Sequence, residues 1–409
     1  MRSAASVGEA LGQSCRDRAG TVAGVGRTVV ATQARGRWAV VLAVVVLLCA
    51  VPVVLQLRPA RAAEVDPAAL TARIAASRNR SYQGFAQSSG LLPLPSLPNL
   101  EQVTALVSTT IQMRTWYAAR DSWRVDVIDG GAERDVYQTP DAQYVWDYGA
   151  NQLTRIVGEQ PVRLPRAADL TPPELVRSLL SVAAGERFEA LPGRRVAGID
   201  AAGLRIVPAT ADTTVDHIDI WADPGSGLPV QAEVTARGGQ RPVFVTRFLE
   251  LHLSTPDAGV LTPPIPDRAG IGYTQTNAPD ILSAINRRRW GQLPDQLAGL
   301  PRRDAFARVT AVGVYGTGLA QFIVISLPGR FGAQAYQQAS RYGVEVTMPP
   351  SGVTLNGTAV TIVPGEAALI STGLLSVLVV RGQQTYLVAG LVQPAVLQRV
   401  AGDLAVAGA

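Results

Sequence analysis

Between Ala39 and Leu57 no side chain carries a charge and nearly all are aliphatic. At about 1.5 Å per residue, a helix of this run crosses most of a membrane's ~30 Å hydrocarbon core. The pattern therefore predicts a transmembrane helix over 39–57. Further on, Asp66 and Pro67 have the chemistry of a helix start, an N-cap followed by a first-turn proline, and Leu70 and Ile74 lie four apart. After Tyr82 the period drops to two. Trp123, Val125 and Val127 alternate with Arg124 and Asp126, Tyr144, Trp146 and Tyr148 repeat the alternation with rings, and Val230, Ala232, Val234 and Phe244, Thr246, Phe248 continue it. Such alternation predicts strands with one buried face. A helical spacing interrupts them: Leu175, Leu179 and Val182 follow Thr171 and Glu174, which have the spacing of a capping box, with Pro172 in the first turn.

Two stretches break the pattern. Gly90 to Pro98 contains three prolines and reads as a loop or lip with exposed leucines. Thr255 to Asn277, rich in proline and glycine, reads as a domain linker. Beyond it, strands are expected near Phe322–Leu327, Thr358–Val363, Leu374–Val380 and Thr385–Val392, with a last helix from Pro394 carrying Val396, Leu397, Val400 and Leu404. The expected fold class is α+β and mainly antiparallel, one apolar-faced sheet with helices lying across it.

Charge sharpens the membrane reading. The formal charge is +5, yet residues 1–37 hold six arginines against Glu9 and Asp17, which leaves about +1 for the rest of the chain. No basic face for nucleic acid is indicated, and the tail belongs in the cytoplasm with the C-terminal bulk extracytoplasmic. Ala60-Arg61-Ala62 also fits a signal-peptide cleavage site, but an apolar run of this length exceeds the roughly 7–15 residues of a signal h-region. An uncleaved single-pass anchor is expected. Cys15 lies in the tail and Cys49 in the apolar run, so the outer portion is held by packing alone.

Catalytic patterns are absent. The chain has no lysine, no nucleophile elbow, no phosphate-binding loop and no histidine pair at metal-ligand spacing, His217 and His252 being far apart. The carboxylate pairs Asp216 with Asp219 and Glu133 with Asp135 leave a glycosidase-type reading formally open, against the plainer one of solvated strand faces. No enzyme, metal or cofactor is expected. The rings Trp116, Trp123, Tyr144, Trp146 and Tyr148 are the candidate ligand-binding residues: either ordinary core, or the lining of an apolar cavity.

Taken in order, Ser81-Tyr-Gln-Gly-Phe, Met113-Arg-Thr-Trp-Tyr, Trp123-Arg-Val-Asp, Gly131-Ala-Glu-Arg-Asp, Tyr144-Val-Trp-Asp-Tyr, Ile220-Trp-Ala-Asp-Pro and Gly227-Leu-Pro-Val resemble the LolA/RseB (MucB)-like superfamily, closest in layout to its sigma-E-regulating RseB members. Tyr315-Gly-Thr-Gly-Leu-Ala and Phe322-Ile-Val-Ile are similar in outline to the smaller RseB domain, with Thr317 where the family usually has an acidic residue. The resemblance implies a LolA-like curved half-barrel sheet closed by helices over a hydrophobic cavity, plus a smaller C-terminal α+β domain. It implies as ligand a lipid or the acyl chain of an acylated protein, and as partner a membrane anti-sigma factor. The alternative is a lipid or lipoprotein transfer protein working with an envelope transporter subunit. The expected division is a disordered basic tail over 1–38, the membrane helix over 39–57, a ligand-binding domain over 64–275 and the smaller domain over 276–409.

This topology has a direct test at Cys15. An impermeant maleimide should leave Cys15 unlabelled in intact cells and label it after lysis; labelling in intact cells would place the tail outside.

Overall fold

The computed structural model describes residues 37–46, 65–94, 101–129, 132–158, 163–264, 271–278, 293–303, 311–327, 329–346, 351–355, 358–362, 366–382 and 384–407. Residues 1–58 form one compact unit, of which 37–46 are described; they are helical and their side chains are exposed. Among the described residues no helix is long and apolar enough to cross a membrane. The expected span over 39–57 lies outside the described residues beyond 46, as does the basic tail before 37.

Residues 59–409 form the second unit. Its main feature is a twelve-stranded sheet built from β1 (Tyr82–Gly90), β2 (Thr110–Ala119), β3 (Ser122–Asp129), β4 (Ala132–Gln138), β5 (Gln143–Asp147), β6 (Gln152–Val157), β7 (Arg187–Val196), β8 (Ile199–Val207), β9 (Val215–Ala222), β10 (Pro229–Ala236), β11 (Pro242–His252) and β12 (Gly272–Asn277). The order is β12-β6-β5-β4-β3-β2-β1-β11-β10-β9-β8-β7, antiparallel throughout except where β12 joins β6 in parallel. The α+β, mainly antiparallel class expected from the sequence is present.

Helices lie on one face of this sheet, here called inner. Helix α1 (Pro67–Ala76) starts as its sequence dictates, Asp66 accepting from the Ala69 amide at 2.9 Å, and buries Leu70 and Ile74. Helix α2 (Glu101–Ser108) seats close to β1 at Gly90, where a Cβ would come within 2.0 Å of the Val107 carbonyl oxygen. Helix α3 (Pro172–Val182) keeps its first-turn prolines but not the expected capping box. The Thr171 hydroxyl instead donates to the Ala168 carbonyl at 3.0 Å, closing the preceding 3-10 turn Ala167–Leu170, and Glu174 pairs with Arg177. Beneath α1 and α3 the inner side chains of β8 to β11, among them Leu204, Ile218, Ile220 and Ala232, are wholly buried. Each of the leucine and isoleucine side chains contributes roughly 1.5–3 kcal/mol.

The smaller part holds an eight-stranded sheet of β13 (Gln296–Leu297), β14 (Leu300–Arg303), β15 (Val312–Thr317), β16 (Ala320–Leu327), β17 (Val344–Val346), β20 (Glu366–Ser371), β21 (Ser376–Arg381) and β22 (Thr385–Gly390), beside a hairpin of β18 (Ser351–Leu355) and β19 (Thr358–Ile362). Helix α4 (Gly329–Tyr342) packs Ala339 against Ala368 and Val379. Helix α5 (Pro394–Ala407) buries Val396, Leu397, Val400 and Leu404 against Phe322, Leu378 and Val388. The expected strand from Leu374 begins only at Ser376, because Gly373, at φ +84°, belongs to a turn.

The expected linker holds a strand: β12 pairs with β6, so a boundary at 275 cuts through it. The two sheets are also clamped. Thr213 Oγ1 donates to the Leu319 carbonyl (3.1 Å) and the Leu391 carbonyl (2.7 Å), and Thr214 Oγ1 donates to the Leu374 carbonyl. Leu319 and Leu374 enter the core of the large sheet. Just past α3, the Glu186 carboxylate accepts from the Leu319 amide (2.6 Å) and from the Ala209 amide (2.5 Å). That approach requires glycine at 318: φ is +59°, and a Cβ would meet Glu186 Oε1 at 2.1 Å.

Removing this carboxylate leaves the Leu319 amide without its partner. Glu186→Ala is expected to lower stability by about 1–3 kcal/mol and to separate the melting of the two sheets. An unchanged midpoint in chemical denaturation would show that the clamp contributes nothing.

Candidate functional site

Strand register decides which face each candidate ring occupies. Across β2 to β6, Trp116 pairs with Arg124, Arg124 with Tyr137, Tyr137 with Tyr144, and Tyr144 with Arg155. The neighbouring row on the same face runs Asp126, Asp135, Trp146 and Leu153. Directly opposite residues share a face. The other face carries the rows Tyr117, Trp123, Gln138, Gln143 and Thr115, Val125, Val136, Val145. This second face is the inner one.

Between the inner face of β2 to β5 and the elements above it lie two adjoining hollows that share Val125 and Ala168. One, of about 430 Å³, is lined mainly by aliphatic groups: Leu106 of α2, Ile111, Val125, Val127, Val136 and Val145 of the sheet, and Pro165 and Ala167 above. The other, of about 420 Å³, is polar, with Tyr82, Thr115, Tyr117 and Trp123 below and Glu174, Arg177, Ser178 and Ser181 of α3 above. Together they fall within the roughly 300–1,000 Å³ of small-molecule sites. Burial pushes the Tyr82 phenol well above its ordinary range, so it is a neutral hydrogen-bonding group here.

Of the five rings expected at the site, Trp123 alone lines the polar hollow, and none lines the aliphatic one. Trp116, Tyr144 and Trp146 lie on the outer face; Trp146 is buried in a satellite cluster with Tyr137 and Leu153, against which Tyr144 and Ile271 pack. Tyr148, just past the end of β5, is exposed and meets Trp146 edge-on at 5.4 Å. Outer rings are further occupied by arginines: the Arg124 guanidinium lies 5.0 Å from the Trp116 ring and 4.7 Å from Tyr137, and Arg155 lies 5.9 Å from Tyr144. The pattern of two correctly puts Tyr144 with Trp146, but it carries no information about which set faces the helices. The aliphatic lining and the α3 arginine were not singled out in the sequence, because valines at alternate positions read as generic core.

Three of the four carboxylates noted in the sequence, Asp135, Asp216 and Asp219, have side-chain partners. Asp219 takes Arg205 in a fork (2.6 and 2.7 Å), and Asp216 contacts His217 Nδ1 at 2.7 Å. Beneath Trp116, Arg124 forks onto Asp126 (2.6 and 2.8 Å) and reaches Asp135 at 2.9 Å. Asp126, Glu133 and Asp135 have oxygens within 4.8 Å of one another, the single such group found among the described residues. Arg124 already serves as its counterion. With both aspartates buried and one guanidinium between them, burial first and the Asp126 charge second push the Asp135 carboxyl up to about 7.

No protein-family model matches the chain, and no curated protein sequence matches it. Among solved structures, the chain is similar to MucB in complex with MucA(peri), at 18% identity over 82% of this chain and 97% of that one, with a TM-score of 0.40. It is similar to the MucA/MucB complex of Pseudomonas aeruginosa at 19% identity, with the same shares and a TM-score of 0.41. A LolA superfamily protein from Nitrosomonas europaea is similar at 11% identity over 49% of this chain and 98% of that one, with a TM-score of 0.22.

The acid pair sets a pH response. The folded state holds a proton on Asp135 that the unfolded chain releases near its ordinary value of 3.8. This group's contribution is therefore full below 3.8 and is lost as pH rises to about 7. Asp135→Asn, which mimics the protonated form, should remove that decline and leave the variant relatively more stable at alkaline pH. Denaturation midpoints of both proteins across pH 4–8 that run parallel would contradict a proton held on Asp135.

Proposed function

We propose that the chain is a non-enzymatic, membrane-tethered, extracytoplasmic binding protein that takes an apolar chain, a lipid tail or the acyl chain of a lipoprotein, into the inner hollow. The observation that carries this reading is the aliphatic lining between α2 and β2 to β5. A sheet face that is wholly buried beneath α1 and α3 opens there onto a space of about 430 Å³ whose walls are Leu106, Ile111, Val125, Val127, Val136 and Val145. Such a space offers dispersion contacts and exclusion of water, at about 0.8 kcal/mol per methylene, with Thr109, Thr110, Glu133, Arg134, Asp147 and Arg166 as its polar lining.

The regulatory form of this reading, in which the smaller domain engages a membrane protein such as an anti-sigma factor, is supported by the sequence motifs and by the clamp. Helix α3 lines the polar hollow with Glu174, Arg177, Ser178 and Ser181, and the segment that follows it holds the Leu319 turn through Glu186. A ligand that displaces α3 acts on the smaller domain through the same element. A freely diffusing carrier has no need of such a connection.

Native mass spectrometry of residues 59–409 followed by solvent extraction should recover bound lipid. Val136→Phe fills the hollow at an expected cost of about 1–3 kcal/mol and should lower lipid per folded molecule at least several-fold. Undiminished lipid in this variant, or none with the unsubstituted protein, would contradict the reading.

A further inference from the structure

The polar hollow has an excess of positive charge. Arg78, Arg120, Arg163 and Arg177 line it, with Asp169 and Glu174 as the carboxylates. Two of the four cations are neutralised in place: Arg163 is taken in a fork by Asp169 at 2.6 Å on each arm, and Arg177 pairs with Glu174. Arg78 and Arg120 are exposed and have no carboxylate partner among the described residues, so the described lining holds two guanidinium groups in excess of its carboxylates.

Arg177 adds a second, independent observation. Its side chain is only 6% exposed and its Nη2 reaches the Ser77 carbonyl at 3.5 Å, yet its Nε has no hydrogen-bond partner. A buried guanidinium N–H without an acceptor costs free energy unless something completes it. The three cations line the same hollow as Tyr117. Burial pushes the Tyr117 phenol up, while the charges of Arg177, Arg78 and Arg120 all pull against that rise, and the Tyr117 hydroxyl donates to the Arg78 carbonyl at 2.9 Å. Arginine forks suit the tetrahedral oxygens of a phosphate, which can accept from several at once.

We propose that this end of the cavity receives the phosphate head of an anionic amphiphile whose chain runs past Val125 into the aliphatic hollow. Val125 and Ala168 border both spaces, so a head in one hollow lies beside the entrance of its chain to the other. The assignment rests on the reading that the aliphatic hollow takes a chain, and it adds the sign and chemistry of the head.

Dodecyl phosphate, dodecanol and inorganic phosphate, titrated separately into residues 59–409, divide the possibilities. The expected result is at least tenfold tighter binding of dodecyl phosphate than of dodecanol, with the ratio falling toward one in Arg78→Gln/Arg120→Gln. Both arginines are exposed, so the double variant keeps its fold, and its affinity for dodecanol should not change. Equal affinity of the unsubstituted protein for dodecyl phosphate and dodecanol would overturn the head-group site while sparing the chain site. Binding of neither amphiphile would overturn both. Inorganic phosphate bound as tightly as dodecyl phosphate, with the same dependence on the two arginines, would assign the site to free phosphate and overturn the amphiphile.

Discussion

A sheet of twelve strands has a broad apolar face, and the helices above it are short. Covering that face is the constraint from which the rest follows. Over β8 to β11, α1 and α3 complete the cover, and Leu204, Ile218 and Ile220 are wholly buried. Over β2 to β5, the cover among the described residues comes from the short α2, the segment 163–166 and a single 3-10 turn. The valines there, at the same alternating positions, end against a space instead of a neighbour. The site is thus the place where the helices run out, and its aliphatic walls are continuous with the core that folds the domain.

The outer face follows a different solution. Among the described residues no helix covers it across β2 to β6, and it carries rings alternating with ion pairs: Trp116 and Tyr137 around Arg124, Tyr144 against Arg155, Trp146 against Leu153. Arg124 is central, since it neutralises Asp126 and Asp135 in a row that would otherwise bury two like charges. Across β2 to β5 the inner face, by contrast, borders the two adjoining hollows. Helix α3 then ties that space to the second sheet through Glu186 and the Gly318 turn.

Much of this was legible in the chain. The period of two placed strands, Asp66 and Pro67 placed the start of α1, and the motif order pointed to a curved antiparallel sheet over a cavity. What sequence could not carry was register. Trp123 and Trp146 both sit in alternating runs, yet the turns between β3 and β5 put them on opposite faces, and local periodicity is silent on turns. β12 was read as linker because an edge strand with polar residues on both sides, Gly272 to Asn277, has no apolar alternation to detect. The arginines of the polar hollow come from positions as far apart as 78 and 177; each alone reads as a solvated cation, and only the pairing of β1 with β2 and the crossing of α3 assemble them.

The two faces also provide the most direct measurement. A fatty acid dibrominated near its carboxylate quenches indole fluorescence on contact, and among the described residues Trp123 is the tryptophan that lines the polar hollow, beside the mouth of the aliphatic one. The account predicts that such a ligand quenches the fluorescence of residues 59–409, that Trp123→Phe abolishes the quenching, and that Trp146→Phe leaves it intact. Quenching that survives Trp123→Phe and disappears in Trp146→Phe would place the chain on the outer face and contradict the account.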